Sequence, residues 1–258
     1  SSSSGNGGGI YVEIGAPAVN IDNTIVARNT AVTRGPDVCG TLNATGRNFV
    51  GNTADCAIDG ETGGVLAGVD PGLTGLGDYG GSTPTCVPLY GSPVIDQGSS
   101  NGVPAFDPRG VARPTDGDFN GQPQNDIGAC EYDPQAMDSD GDTLSDADEV
   151  LAHGSNPLLT DSDSDGMGDA DEVRAGTDLA ESMSVLCLEA AVADWNGAGI
   201  VVRWSSVGGR QYSLWRATEL ASGFTELDAP ISGTPPMNTY TDTTATAEGP
   251  YFYRVKVE

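Results

Sequence analysis

The chain has little that is basic. Lys plus Arg number 11 against 37 Asp plus Glu, giving a net charge of −26. A surface of that sign repels nucleic acid and anionic membrane, so neither is expected as a partner. Histidine is limited to His153, so no Ser/His/Asp set can be assembled. No heptad and no long 3.6-residue apolar stripe occurs, which argues against a helical protein. No run of about 18 apolar residues is present either, so no segment reads as a membrane-spanning helix.

What is present in quantity is glycine (37) and proline (16) over 258 residues. That mixture predicts a turn-rich, mainly β chain of two or three small domains. Cysteines stand at 39, 56, 86, 130 and 187, and their spacing fits no zinc pattern. Disulfides are expected instead, with Cys39–Cys56 and Cys86–Cys130 preferred and Cys187 left over. Such bonds imply an oxidising, extracellular setting. The chain opens on a Ser/Gly stretch with no signal peptide, which reads as a mature or trimmed product.

Composition divides the chain into four parts. Residues 1–9 read as a flexible leader. Residues 10–133 hold short β runs, such as Ile10–Ile14, Val19–Ile21, Thr24–Ala27 and Asn48–Val50, with Asn and Gly at the corners. Residues 134–183 are acidic: between Asp133 and Glu181 there are 15 Asp/Glu and one base, Arg174. Residues 184–258 carry all three tryptophans (Trp195, Trp204, Trp215), and alternation marks strands at Ile200–Trp204, Gln211–Arg216 and Tyr251–Val257.

The acidic part is ordered in register. DSDGDTLSDADE (138–149) returns as DSDSDGMGDADE (161–172), a period of 23 residues. A twelve-residue calcium loop takes oxygen ligands at positions 1, 3, 5, 7, 9 and 12, with a backbone carbonyl at 7 and a bidentate Glu at 12. Those slots fall on Asp138, Asp140, Asp142, Leu144, Asp146 and Glu149 in the first copy. In the second they fall on Asp161, Asp163, Asp165, Met167, Asp169 and Glu172. Calcium is hard and takes six to eight oxygens, so alternate carboxylates on a tight loop suit it. Position 6 wants glycine for the sharp turn. Gly166 supplies it in the second copy, but Thr143 stands there in the first, so the first loop is expected to be distorted or weaker. Pro134 and Pro157 leave room for only short helices, at Ala147–Ala152 and Ala170–Ala175, which excludes a helix-loop-helix sensor. The segment resembles the thrombospondin type 3 repeats of bacterial surface proteins. That resemblance implies structural calcium that stiffens the link between domains, with Asn156 and Asp178 at places where the family has an extra ligand.

In residues 10–133 the β runs recur at coil length, which predicts a right-handed parallel β-helix. The motifs Gly80-Gly81-Ser82-Thr83, Gly91 to Asp96, Asp107-Pro108-Arg109-Gly110 and Asp126 to Glu131 follow in order. Together they resemble the C-terminal end of choice-of-anchor or polymorphic-outer-membrane-protein-like surface proteins. That family is defined by architecture and display, so it transfers no catalytic residue. A solenoid's first coil needs a cover, and no capping helix precedes Gly9. Either a longer β-helix or another chain is expected there, and the second option implies a head-to-tail homo-oligomer or filament. Residues 184–258 predict an antiparallel β-sandwich and resemble fibronectin type III modules, with Trp204 and Tyr253 in the core.

Acid pairs serve glycoside hydrolysis, and Asp96, Asp107 and Asp126 are the candidates, but turn capping is the plainer role for each. The sequence therefore reads as a non-enzymatic, calcium-stabilised structural protein of the cell surface, self-assembling or adhesive. The competing class is a carbohydrate-binding or carbohydrate-cleaving protein, with Trp195 or Trp215 as a platform for surface glycans.

Overall fold

The computed structural model describes residues 5–193, 199–221, 223–245 and 249–258. Ser1–Ser4 of the leader, Trp195 and the Asn196-Gly197 turn lie outside the described residues. The chain is mainly β and divides into two compact units, Ser1–Ser139 and Asp140–Glu258. The acidic loops from Asp140 onward thus belong with the C-terminal strands.

Seven strands build the first part of unit 1: β1 (Ile10–Tyr11), β2 (Val19–Asp22), β3 (Ile25–Val26), β4 (Val38–Thr45), β5 (Asn48–Val50), β6 (Cys56–Gly60) and β7 (Val65–Ala67). Every pairing among them is parallel. β1, β2 and β6 join β4, and β5 lies between β3 and β7. Val19 lies opposite Leu42 and Ile25 opposite Phe49, so each pairing joins residues one lap of chain apart. Parallel neighbours need such long crossovers.

Buried polar side chains hold the corners of these laps. Asn48, fully buried, accepts from Thr24 N (3.1 Å) and donates to Thr45 O (2.9 Å). Asp37 accepts from Asn29 N (2.9 Å) and Asn52 N (2.7 Å). Each bond satisfies a backbone group that a sharp corner removes from the ladder. Inside, Ile21, Val26, Val38, Leu42, Ala44 and Val50 form one apolar cluster.

Residues 71–139 have little regular structure and are held by side-chain bonds. Phe49 packs with Val94 and Ile127, and a second cluster gathers Val87, Ile95, Cys130, Tyr132 and Met137. Two buried ion pairs cross this region, Arg113–Glu131 at 3.0 Å and Arg109–Asp107 at 2.6 Å.

In unit 2 the strands pair antiparallel: β8 (Leu188–Ala193), β9 (Ile200–Ser205), β10 (Gln211–Ala217), β11 (Thr225–Ser232), β12 (Met237–Asp242) and β13 (Phe252–Val257). They make two three-stranded sheets, ordered β12-β9-β8 and β11-β10-β13. Val202 and Trp204 of one meet Tyr212 and Leu214 of the other, and the Trp204 and Tyr212 rings stand edge-on at 6.1 Å. Alternation explains the inward set on β9, where Val202 and Trp204 are buried and Arg203 is exposed.

All five cysteines are free thiols, so the expected Cys39–Cys56 and Cys86–Cys130 bonds are not formed. The β4–β6 register sets Gly40, not Cys39, opposite Cys56. Cys130 Sγ lies instead 3.1 Å from Thr85 Oγ1. Among the described residues no helix is long and apolar enough to cross a membrane.

Candidate metal centre

The second loop is the clearer one. Its first three aspartates behave alike: each spends one oxygen on a backbone N–H and leaves the other bare. Gly166 N donates to Asp161 Oδ2 (3.1 Å), Asp165 N to Asp163 Oδ1 (3.1 Å) and Met167 N to Asp165 Oδ1 (2.8 Å). Asp161 Oδ1, Asp163 Oδ2 and Asp165 Oδ2 are buried and receive no hydrogen bond. These three residues can bring one oxygen each to within 4.8 Å of one another. Glu172 is fully buried, and neither of its oxygens receives a hydrogen bond of acceptable geometry, although the Thr177 hydroxyl lies nearby. Burial, together with the Asp163, Asp165 and Asp169 charges, pushes the Glu172 carboxyl up to about 7.

Five buried carboxylate oxygens therefore receive no hydrogen bond. Such an arrangement is very costly unless a positive charge is supplied. No side chain of the loop supplies one. Arg174, the segment's only Lys or Arg, pairs with exposed Asp171. The donor set is all oxygen, so a hard cation is the fit. Five carboxylate oxygens, with the Met167 carbonyl that the loop spacing assigns, would make six, the low end of what calcium takes.

The first loop repeats this local geometry. Asp142 N donates to Asp140 Oδ1 (3.1 Å) and Leu144 N to Asp142 Oδ1 (2.8 Å), the same distances as their counterparts. Asp138, Asp140 and Asp142 cluster along one short stretch of chain. Glu149 is fully buried with Oε2 bare, while Oε1 lies 3.4 Å from Ser155 Oγ. Burial, followed by Asp140, Asp142 and Asp146, pushes the Glu149 carboxyl up to about 8.

Thr143 does not distort the first loop. Its φ is 89°, close to the 97° of Gly166. A second left-handed position lies two residues earlier, at Gly141 (85°) and Ser164 (61°). Each loop thus has one glycine for two such positions, and the strain is shared between them rather than confined to the first loop.

Short helices follow both loops: α1 (Asp146–Asp148), which runs into a π turn at Glu149–His153, and α2 (Asp169–Ala175). The π turn has a cause in the sequence. Glu149 to Glu172 is 23 residues, but the closing glycines Gly154 and Gly176 are 22 apart. The extra residue is absorbed by an i→i+5 bond, Gly154 N to Glu149 O at 2.6 Å. In α2 the matching bond, Gly176 N to Glu172 O at 2.6 Å, is i→i+4. Both turns keep the terminal Glu buried beneath its loop. His153 closes the π turn.

Three of the sequence-derived ligands make hydrogen bonds of their own. Both oxygens of Asp169 are engaged by Ser162, whose N donates at 2.8 Å and Oγ at 2.7 Å. Asp169 therefore braces the second loop. Asn156 Oδ1 accepts Leu158 N (3.2 Å), and Asp178 Oδ1 accepts Ala180 N (3.1 Å). Each caps the turn that follows its helix.

One acidic group was not singled out as a metal cluster from the sequence: Asp96, Asp116 and Asp118. The alternation Asp116-Gly117-Asp118 was the available signal. Its chemistry differs from that of the loops. Asp96 accepts from Gly117 N, Asp118 N and Gln124 N, while Asp116 and Asp118 accept from Asn120 and Gly121. Asp107 and Asp126 are likewise filled by backbone N–H groups, from Arg109, Val111 and Glu131 on the first and from Asp96 and Tyr132 on the second. Trp204 lies in the core. Trp215 is half-buried, with Lys256 Nζ 4.5 Å and the Arg254 guanidinium 5.6 Å from its ring centre. No protein-family profile, curated protein or solved structure matches this chain.

Proposed function

We propose that the chain is a calcium-stabilised structural protein that works outside the cell, with one calcium ion in each of the two loops. The observation that carries this reading is the second loop's set of five bare, buried carboxylate oxygens around Glu172. Calcium supplies charge there and closes the loop; Asp161, Asp163, Asp165, Glu172 and the Met167 carbonyl hold it. In the first loop Asp138, Asp140, Asp142, Glu149 and the Leu144 carbonyl do the same. Loops of this kind fill at the calcium levels found outside cells. With no disulfide to argue for an extracellular setting, calcium is what supports it.

The rest of the reading follows from the pairings. The parallel laps of β1–β7 support a short right-handed β-helix. The two antiparallel sheets over Trp204 and Tyr212 support a fibronectin type III-like sandwich. A bacterial surface protein with thrombospondin type 3 repeats and a choice-of-anchor-like end is the family we infer. We read Asp96, Asp107 and Asp126 as structural, since backbone N–H groups fill them, and we assign no reaction. Assembly into a filament through the edge strands of the parallel laps is the mode of action we favour. The cations lying against Trp215 argue against a sugar platform there.

The test is thermal unfolding with and without a chelator, paired with micrographs and a glycan array. The reading predicts that calcium raises the midpoint and that assembly, where seen, is lost on chelation. Glycan binding by calcium-free monomers would support the carbohydrate class instead.

A further inference from the structure

The two helices that follow the loops start differently. In α1 the residue before the helix is Ser145, whose Oγ accepts Asp148 N at 3.1 Å. The matching residue of α2, 23 positions on, is Gly168, which has no side chain to cap with. The first N–H groups of a helix have no partner within it. In α2 one of them, Ala170 N, donates to Asp142 Oδ2 at 3.2 Å, across 28 residues. Asp142 is the fifth position of the first loop. It therefore belongs to one loop's ligand cluster and caps the helix that positions the other loop's Glu172.

We propose that the two ion sites are coupled through Asp142, so that filling the first loop raises the affinity of the second. The inference rests on the calcium reading above. Its physical basis is the number of lone pairs. A carboxylate offers about four acceptor sites. Leu144 N and Ala170 N take two of them, which leaves room for the cation. A bound ion fixes the Asp142 carboxylate, and a fixed carboxylate holds the start of α2. Glu172, four residues into α2, is then held where it closes the second site. Linkage requires the effect to be mutual.

The test is a calorimetric calcium titration of four full-length chains: the unaltered protein, Glu149→Gln, Ala170→Pro and the double variant. Glu149→Gln disables the first loop. Ala170→Pro removes the N–H that Asp142 accepts, and proline is tolerated in the first turn of a helix. We expect Glu149→Gln to bind one ion, at least about fivefold more weakly than the unaltered second loop, the low end of ordinary coupling. In the Ala170→Pro background, disabling the first loop should leave the second within about twofold, since the pathway is already cut. Gly168→Ser, which gives α2 the cap that α1 has, is the companion variant should proline disturb the fold; it is expected to weaken the coupling as well. Second-loop affinity that ignores Glu149→Gln, or that depends on it equally in the unaltered and Ala170→Pro backgrounds, overturns the coupling. No calcium binding by the unaltered chain overturns the calcium reading itself.

Discussion

Backbone strain falls on a single non-glycine residue of each loop, Thr143 in the first and Ser164 in the second. Thr143 holds φ at 89° although it is β-branched, and Gly166 holds the same turn without that burden. Thr143→Gly should therefore stabilise unit 2 by roughly 1 kcal/mol in saturating calcium, read as a higher urea midpoint. An unchanged or lower midpoint would show that the left-handed turn is not a burden. A second residue-scale effect lies in unit 1. Burial and the neighbouring Glu131 carboxyl push Asp126 up to about 8 from an ordinary value of 3.8. The neutral form is thus favoured in the fold. The stabilisation is complete below about pH 4, declines as pH rises, and is gone above about pH 8. Unfolding of unit 1 should become easier across that window. Asp126→Asn should be less stable throughout, because an amide nitrogen then faces a backbone N–H, but its slope with pH should be shallower. Equal slopes in denaturant melts from pH 5 to 8 would contradict the assignment.

Elements show most plainly what the sequence made legible. The loops could be read because ligand spacing is local: alternate carboxylates and a terminal Glu need no tertiary information. The one-residue offset between the copies is in the sequence too, as spacings of 23 and 22, and it surfaces as the π turn at Glu149–His153. The positions of β2, β5, β9, β10 and β13 also followed from short β-prone runs. The central strand β4 did not, since Gly40 and Asn43 interrupt its pattern, and it holds because partners lie on both sides. Nor could local spacing show that Ser162 engages Asp169, or that Asp142 reaches Ala170. Those depend on side-chain direction and distant packing. One such contact yields a prediction. Arg210 Nη2 donates to Val173 O at 2.9 Å, and its guanidinium lies against Gly176, whose φ of 81° no larger residue suits. Arg210→Ala should speed amide exchange across Glu172–Thr177, while β9 and β10 keep their protection. Unchanged exchange in α2 would mean that Arg210 does not brace it.

At the scale of the whole molecule, the division at Ser139/Asp140 groups the second loop, and the first from Asp140 onward, with the tryptophan-bearing strands. All three tryptophans lie in Asp140–Glu258, so indole fluorescence reports unit 2 alone. An ion held at about 100 times its dissociation constant adds roughly 2.7 kcal/mol to stability. Chelation should therefore lower the indole-monitored melting point by on the order of 10 °C. The stability of unit 1, read by amide exchange at Val38–Thr45, should change far less. Equal shifts by both probes would contradict a calcium effect centred on unit 2.

The central claim is that two hard cations complete the two loops, and the most direct measurement is the number of calcium ions held per chain. Equilibrium dialysis followed by elemental analysis of the full-length protein should give two ions. The Glu172→Gln variant should give one, and Glu149→Gln/Glu172→Gln should give none. No bound calcium in the unaltered chain, or the same content in the double variant, would contradict the account.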